Sequence, residues 1–261
     1  MGTIDIKYGV GQLDKYNWTT AKRTDLNRFD PSLLGLGDVA VDAKVINALA
    51  AVFDLEGFTD FCGQPDPQLV IPDYLSEFLV WLFEAITNRF KKGEKEGTVF
   101  LSSTLPFFAK FMGDGVLFLW NTDQVKTGHM GIGNITVCLH DICKRYSSTF
   151  LKKASKSYSK VPARLRVGLA RGQVFLIGNG NDCVGPCINI ASRLQKLGSL
   201  PFAISRRGFN PEKCFTASIQ KKLIVCKTRL RGVGEDETII VYRSDYNSIA
   251  DEEKDLFTLQ E

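Results

Sequence analysis

Histidine is nearly missing from this sequence: His129 and His140 are its only two. With so few imidazoles and no Cys-x-x-Cys pair, a zinc site is not expected. The cysteines, Cys62, Cys138, Cys143, Cys183, Cys187, Cys214 and Cys226, are odd in number and scattered, which argues against a disulfide framework. Reduced thiols of a cytoplasmic protein fit better. The N-terminus lacks the apolar core of a signal peptide, and no apolar run approaches the roughly 20 residues of a membrane helix. Met1-Gly2 opens the chain, but position 6 is Ile rather than the Ser or Thr of a myristoylation signal. A cytoplasmic protein with no direct membrane insertion is therefore expected. Strong charge is missing too. The formal net charge of +4 is spread out, and the densest run, Lys152, Lys153, Lys156 and Lys160, reads as a solvated helix end rather than a nucleic-acid patch. Internal repeats and low-complexity tracts are also lacking. The 44% hydrophobic and 24% charged content suits a globular chain with one sizeable core.

Three stretches carry chemistry. The first is Phe53-Asp54-Leu55-Glu56-Gly57-Phe58-Thr59, preceded by the apolar run Val45–Val52, which reads as a buried strand. Asp54 then falls at the strand's end with Gly57 opening a turn. A carboxylate there can hold a cation, while the N–H groups of Gly57, Phe58 and Thr59 cradle an anion. A turn-capping Asp with no further duty fits this stretch as well. The second stretch is Gly113-Asp114-Gly115 between the apolar runs Leu105–Met112 and Val116–Trp120, a hairpin signature. Laid beside the first strand, its tip brings Asp114 near Asp54, and two carboxylates sharing two divalent ions activate a hydroxyl and steady a leaving pyrophosphate. The third runs from Arg164 to Val174 and on through Asp182-Cys183-Val184-Gly185-Pro186-Cys187-Ile188-Asn189-Ile190-Ala191-Ser192-Arg193.

Taken in order, these stretches resemble the catalytic domain of class III nucleotidyl cyclases, across roughly residues 45 to 243. The resemblance implies an α+β, ferredoxin-like core, a mixed and mainly antiparallel sheet flanked by helices. Residues 1–44 then form an N-terminal arm, too short for a sensor domain, and 244–261 an acidic, frayed tail. It implies two divalent cations, Mn2+ or Mg2+, on Asp54 and Asp114 with the Leu55 carbonyl as a further ligand. Glu56 is left out, on the expectation that strand alternation turns it away. Asn189 and Arg193, four apart on one helix face, match the positions that orient the ribose and neutralise charge on the α-phosphate. Lys110 and Asp182 match the base-reading positions, where a Lys–Asp pair is the adenylate cyclase form. As one donor beside one acceptor, the pair suits adenine or cytosine, and uracil after a small shift. Arg231, in Arg231-Gly232-Val233-Gly234, resembles a segment touching the terminal phosphates, although Val233 stands where a second Lys is usual. Because the family draws its two residue sets from opposite subunits, a homodimer with shared sites is implied.

The short build, the insert Asp66–Leu79 and the form of the first motif look like the short soluble pyrimidine cyclases of bacterial Pycsar antiphage defence. Those convert UTP or CTP to the cyclic monophosphate, which a separate effector reads. UTP is the substrate chosen, with ATP and then CTP as alternatives. A catalytically dead, nucleotide-sensing homologue is the reading of another class, opposed by the presence of Asp54, Asp114, Asn189 and Arg193. The Gly-Gly-Asp/Glu-Glu-Phe signature of diguanylate cyclases is absent.

Between the motifs, the spacing predicts a helix from Pro72 to about Phe90, with Leu75, Phe78, Leu79, Leu82, Ala85 and Ile86 inward. A second helix is expected over Ile132–Lys153, with Ile135, Leu139, Ile142, Tyr146 and Phe150 inward and His140 a packing residue. Further on come two strands turning at Gly172, short helices near Cys187–Lys196 and Pro211–Lys221, a strand at Phe202–Ser205, and a terminal hairpin near 223–231 and 236–243.

Overall fold

A computed structural model describes residues 5–260 except 38, 40, 41 and 126; Gly2 of the arm and Glu261 of the tail lie outside the described residues. The chain forms two compact units, Met1–Val45 with Phe175–Val184, and Ile46–Val174 with Gly185–Glu261. In the smaller, β1 (Gly9–Leu13) and β2 (Tyr16–Thr20) pair as an antiparallel hairpin, followed by the single helical turn α1 (Arg23–Leu26). The arm thus has secondary structure of its own.

The larger unit is built on a mixed, mainly antiparallel sheet. Its first strand, β3 (Lys44–Glu56), is nearly all Ala, Val, Leu and Phe through its middle, and residues 48–55 are buried on both faces; such a continuous apolar run belongs at a sheet's centre. Helices α2 (Phe58–Cys62) and α3 (Pro67–Phe90) follow, then a separate hairpin of β4 (Lys91–Lys95) and β5 (Thr98–Leu101). Next are β6 (Phe108–Phe111), β7 (Gly115–Asn121), α4 (Gly128–Tyr146), the turn α5 (Lys152–Ala154) and β8 (Arg164–Ile177). The chain continues through β9 (Asp182–Val184), α6 (Pro186–Leu194), β10 (Phe202–Ser205), β11 (Leu223–Leu230), β12 (Gly234–Tyr242) and β13 (Phe257–Leu259). Sheet order is β13-β11-β12-β10-β8-β3-β7-β6. β10 runs parallel to β8, while β3–β7, β6–β7, β10–β12, β11–β12 and β11–β13 are antiparallel.

Helices α3 and α4 seal the sheet. From α3, Tyr74, Phe78, Leu82, Ile86 and Phe90 are buried, a strict every-fourth-residue stripe, with Leu75, Leu79 and Ala85 only partly covered. Ile135, Leu139, Ile142 and Tyr146 of α4, and Phe150 beyond it, are all buried as expected. Phe78 meets Phe150 edge-on at 5.6 Å. Under this layer runs a polar chain: Tyr74 Oη lies 3.0 Å from Tyr146 Oη, which donates to the Pro162 carbonyl at 2.7 Å. Burial pushes the Tyr146 phenol up to about 12, so it stays a donor at neutral pH.

Several boundaries differ from expectation. α3 starts five residues early because Pro67 takes the first helical position, where a missing N–H costs nothing; Pro72 then sits inside the helix. The second helix does not run unbroken to Lys153. After Tyr146 it widens into a π turn, Ser147–Leu151, where the hydroxyls of Ser147, Ser148 and Thr149 donate to the carbonyls of Lys144 and Arg145 and compete with the helical ladder. The expected turn at Gly172 does not form, and β8 runs through it. A side-chain carbon there would come within 3.1 Å of Cys187 Cβ on α6, so this glycine makes room for a helix. Pro211–Lys221 breaks into two turns, Pro211–Cys214 and Ala217–Gln220. The tail is not frayed: Phe257 is buried and β13 pairs with β11. All seven cysteines are free thiols.

Candidate active site

Asp54 lies near the end of β3 with 3% of its surface exposed. Antiparallel β7 sets Gly115 opposite it, and the Leu55 N–H donates to the Asp114 carbonyl at 3.0 Å. Only glycine fits at 115, since a Cβ would fall 1.9 Å from the Phe53 carbonyl oxygen. That close approach holds the β6–β7 turn against β3 and brings Asp114 beside Asp54. Burial pushes the Asp54 carboxyl above the ordinary carboxylate range, Arg166 pulls it back, and the Asp114 charge raises it. Asp54 and Asp114 together form an oxygen donor set suited to hard divalent cations, which prefer oxygen ligands. The residues therefore fit the expected metal pair.

The sequence reading missed the cations beside this set. Arg166 Nη2 is 2.6 Å and Nε 3.1 Å from Asp54 Oδ2. Arg164 holds Glu56 through two hydrogen bonds, and Arg166 Nη1 stands 4.0 Å from Glu56 Oε1. Lys196 adds its charge to the field at Asp54. Strand alternation does not turn Glu56 away: residues two apart on a strand share a face, so Asp54 and Glu56 point together, Glu56 toward Arg164. The signal was available, because Arg164 and Arg166 alternate with the buried Leu165 and Val167, and facing acid and arginine pairs make a cross-strand ladder.

Behind Asp54 the chain turns at Gly57 into α2. Phe58 packs on Phe61 with ring centres 5.7 Å apart, and Thr59 is exposed. The Phe61 N–H donates to the Gly57 carbonyl, so the N–H groups of Phe58 and Thr59 are left without helical partners.

Asn189 and Arg193 are both exposed on α6, while Cys187, Ile190, Ala191 and Leu194 on its other face are buried. Gly168 of β8 makes that placement possible. A Cβ at 168 would sit 2.1 Å from the Ala191 carbonyl oxygen and 2.6 Å from the Gln195 nitrogen, so the helix backbone rests directly on the strand.

The other predicted residues stand on further elements. Lys110 lies half-buried on β6, across from Leu117 of β7. Asp182 opens β9 opposite Ile177, its Oδ1 accepting the Cys183 N–H at 2.7 Å. Lys110 belongs to the larger unit and Asp182 to the smaller. Arg231 is exposed in the turn between β11 and β12.

No protein-family model and no curated protein matches this sequence. Solved structures do. The adenylyl cyclase CyaB from P. aeruginosa is 16% identical with a TM-score of 0.52, over 78% of this chain and 99% of that one. The fold is the class III cyclase catalytic fold. A bacterial light-regulated adenylyl cyclase is 16% identical with a TM-score of 0.51, over 79% of this chain and 54% of its own. The catalytic core of a rhodopsin-guanylyl cyclase with converted specificity, in complex with ATPαS, is 18% identical with a TM-score of 0.50, over 77% and 98%. Among the described residues, no helix is long and apolar enough to cross a membrane.

Proposed function

We propose that this protein is a nucleotidyl cyclase that converts a ribonucleoside triphosphate, with UTP as the favoured substrate, to its 3′,5′-cyclic monophosphate and diphosphate. The observation that carries the reading is the union of Asp54 and Asp114 at one end of the sheet, pinned by Gly115. Divalent ions, when bound there, supply the charge that activates the 3′-hydroxyl and steadies the triphosphate. The 3′-oxygen forms its bond to the α-phosphorus as the bond to the diphosphate breaks, and the hydroxyl proton is lost. Asp54 and Asp114 hold the cations, with the Leu55 carbonyl as a further ligand. The N–H groups of Gly57, Phe58 and Thr59 face the phosphates. Arg166, which pairs with Asp54, offers a guanidinium to the same anion. Asn189 orients the ribose and Arg193 neutralises charge growing on the α-phosphate; their exposed placement on a braced helix supports contact with a ligand held by a second subunit. A homodimer with two shared sites follows, the catalytic module running over 45–243.

The choice of base rests on Lys110 and Asp182, with Arg231 a further phosphate contact. Their chemistry also suits adenine, so ATP is the alternative, followed by CTP. The pyrimidine assignment rests on the likeness to short Pycsar cyclases and carries with it a role in antiphage signalling through a separate cyclic-nucleotide-binding effector in the cytoplasm. Replacing Asp54 and Asp114 by Ala tests the reading. Product formation should vanish while the circular dichroism spectrum is kept; retained product would overturn the metal assignment.

A further inference from the structure

On the α3–α4 side of the larger unit lies a groove of about 600 Å3 that contains none of the candidate active-site residues, a volume typical of small-molecule sites. Five cations from four segments line it: Arg89 at the end of α3, Lys144 of α4, Lys221 and Lys222 just before β11, and Arg243 just after β12. Asp141 also lines it, held 2.9 Å from Arg89 Nε. Beneath lies Asp245, 1% exposed, which binds Lys144 Nζ at 2.9 Å and His140 Nε2 at 2.9 Å. Five cations against these two carboxylates leave three positive charges in a chain whose formal net charge is +4.

The unbalanced charges are Lys222, Arg243 and Lys221. Their side chains make no ion pair or hydrogen bond to the described residues, whereas the Arg243 N–H donates to the Lys222 carbonyl at 2.7 Å and fixes the two side by side. The groove's wall is stiff, because the His140 ring lies flat on Tyr242 with centres 3.5 Å apart. Tyr242 is 5% exposed, and its hydroxyl has no hydrogen-bond partner among the described residues, a rare state for a buried polar group. Ser244 and Asn247 add polar side chains at the rim.

We infer that this groove is a second binding site, separate from the proposed active site, for a small molecule carrying a diphosphate group. Converging cations in a concave site concentrate polyanions, and lysine and arginine together suit phosphate oxygens. A free diphosphate and a nucleoside diphosphate share that chemistry. The inference does not rest on the cyclase reading.

The test is equilibrium binding of inorganic pyrophosphate and of nucleoside diphosphates to the full chain by calorimetry, in EDTA so that no divalent ion assists. We expect saturable binding at one site per chain. Lys222→Glu/Arg243→Glu should weaken it at least about tenfold. Charge reversal at Lys152 and Lys156, outside the groove, should leave it unchanged, as should Arg193→Ala. Tighter binding of a nucleoside diphosphate than of pyrophosphate assigns the organic ligand, and equal binding assigns the diphosphate group alone. No saturable binding, equal loss in both charge-reversed variants, or loss in Arg193→Ala would overturn the site. Both groove side chains are exposed, and thermal melts matching the unaltered chain will show that the fold is kept.

Discussion

Arg166→Met isolates the electrostatics of the candidate active site. The pair it breaks is short, 2.6 Å, with side-chain exposure of 17% for Arg166 and 5% for Asp54. Removing one partner of such a buried pair strands the other charge, typically at 3–5 kcal/mol. Because Arg166 keeps some contact with water and Lys196 still acts on Asp54, the lower end applies, about 3 kcal/mol. With a urea slope of about 3 kcal/mol per molar, the midpoint should fall by about 1 M. The sign with pH follows from Asp54. Its folded carboxyl is already raised above 3.8 by burial, and losing Arg166 raises it further. Below pH 3.8 the group is protonated in both folded and unfolded chains, so the variant's deficit is small there. It grows as pH climbs through the raised folded value, where the stranded charge must form. Asp54→Leu/Arg166→Met removes both charges and should return to within about 1 kcal/mol of the unaltered chain. Urea titrations at pH 4 and pH 7, followed by circular dichroism, make the comparison. A single variant that loses under about 1 kcal/mol at pH 7, or a double variant as unstable as the single, would refute the argument.

Gly168→Ala puts a methyl group into the α6 backbone and should cost about 1–3 kcal/mol, read from the thermal midpoint, with turnover falling as Asn189 and Arg193 shift. Tyr146→Phe removes the donor to Pro162 and leaves Tyr74 without its partner, for a loss of about 1–3 kcal/mol in urea titration. Asn189→Ala and Arg193→Ala lie on an exposed face, so stability should hold while turnover drops about 100-fold or more. Mixing equal amounts of inactive Asp54→Ala and Arg193→Ala chains should restore about a quarter of the activity: half the dimers are mixed, and each has one intact site of two. No rescue would argue against shared sites.

Much of this was legible in the sequence because each feature left a local mark. The apolar run before Asp54, the Gly-Asp-Gly turn and the Asn189–Arg193 spacing each set backbone and face together, and the fold follows from them. What escaped was set by neighbours distant in sequence. Gly172 looks like a turn until α6 is laid across it. Pro72 looks like a helix start until Pro67 takes that place. The tail looks frayed until β11 offers an edge for Phe257–Leu259 to pair with. The Arg166–Asp54 and Arg164–Glu56 ladder was readable from strand alternation, yet it needed β8 beside β3. The groove around Lys222 and Arg243 was not readable at all, since its five cations come from four segments that meet only in the folded chain.

The central claim is that this chain cyclises a ribonucleoside triphosphate, and one incubation tests it most directly. Purified protein is given ATP, GTP, CTP and UTP separately with Mn2+, and the products are resolved by mass. The account predicts a 3′,5′-cyclic monophosphate and diphosphate, with cyclic UMP foremost, and no product from Asp54→Ala/Asp114→Ala. Cyclic AMP alone would keep the cyclase and remove the pyrimidine assignment. No cyclic product from any of the four would contradict the claim itself.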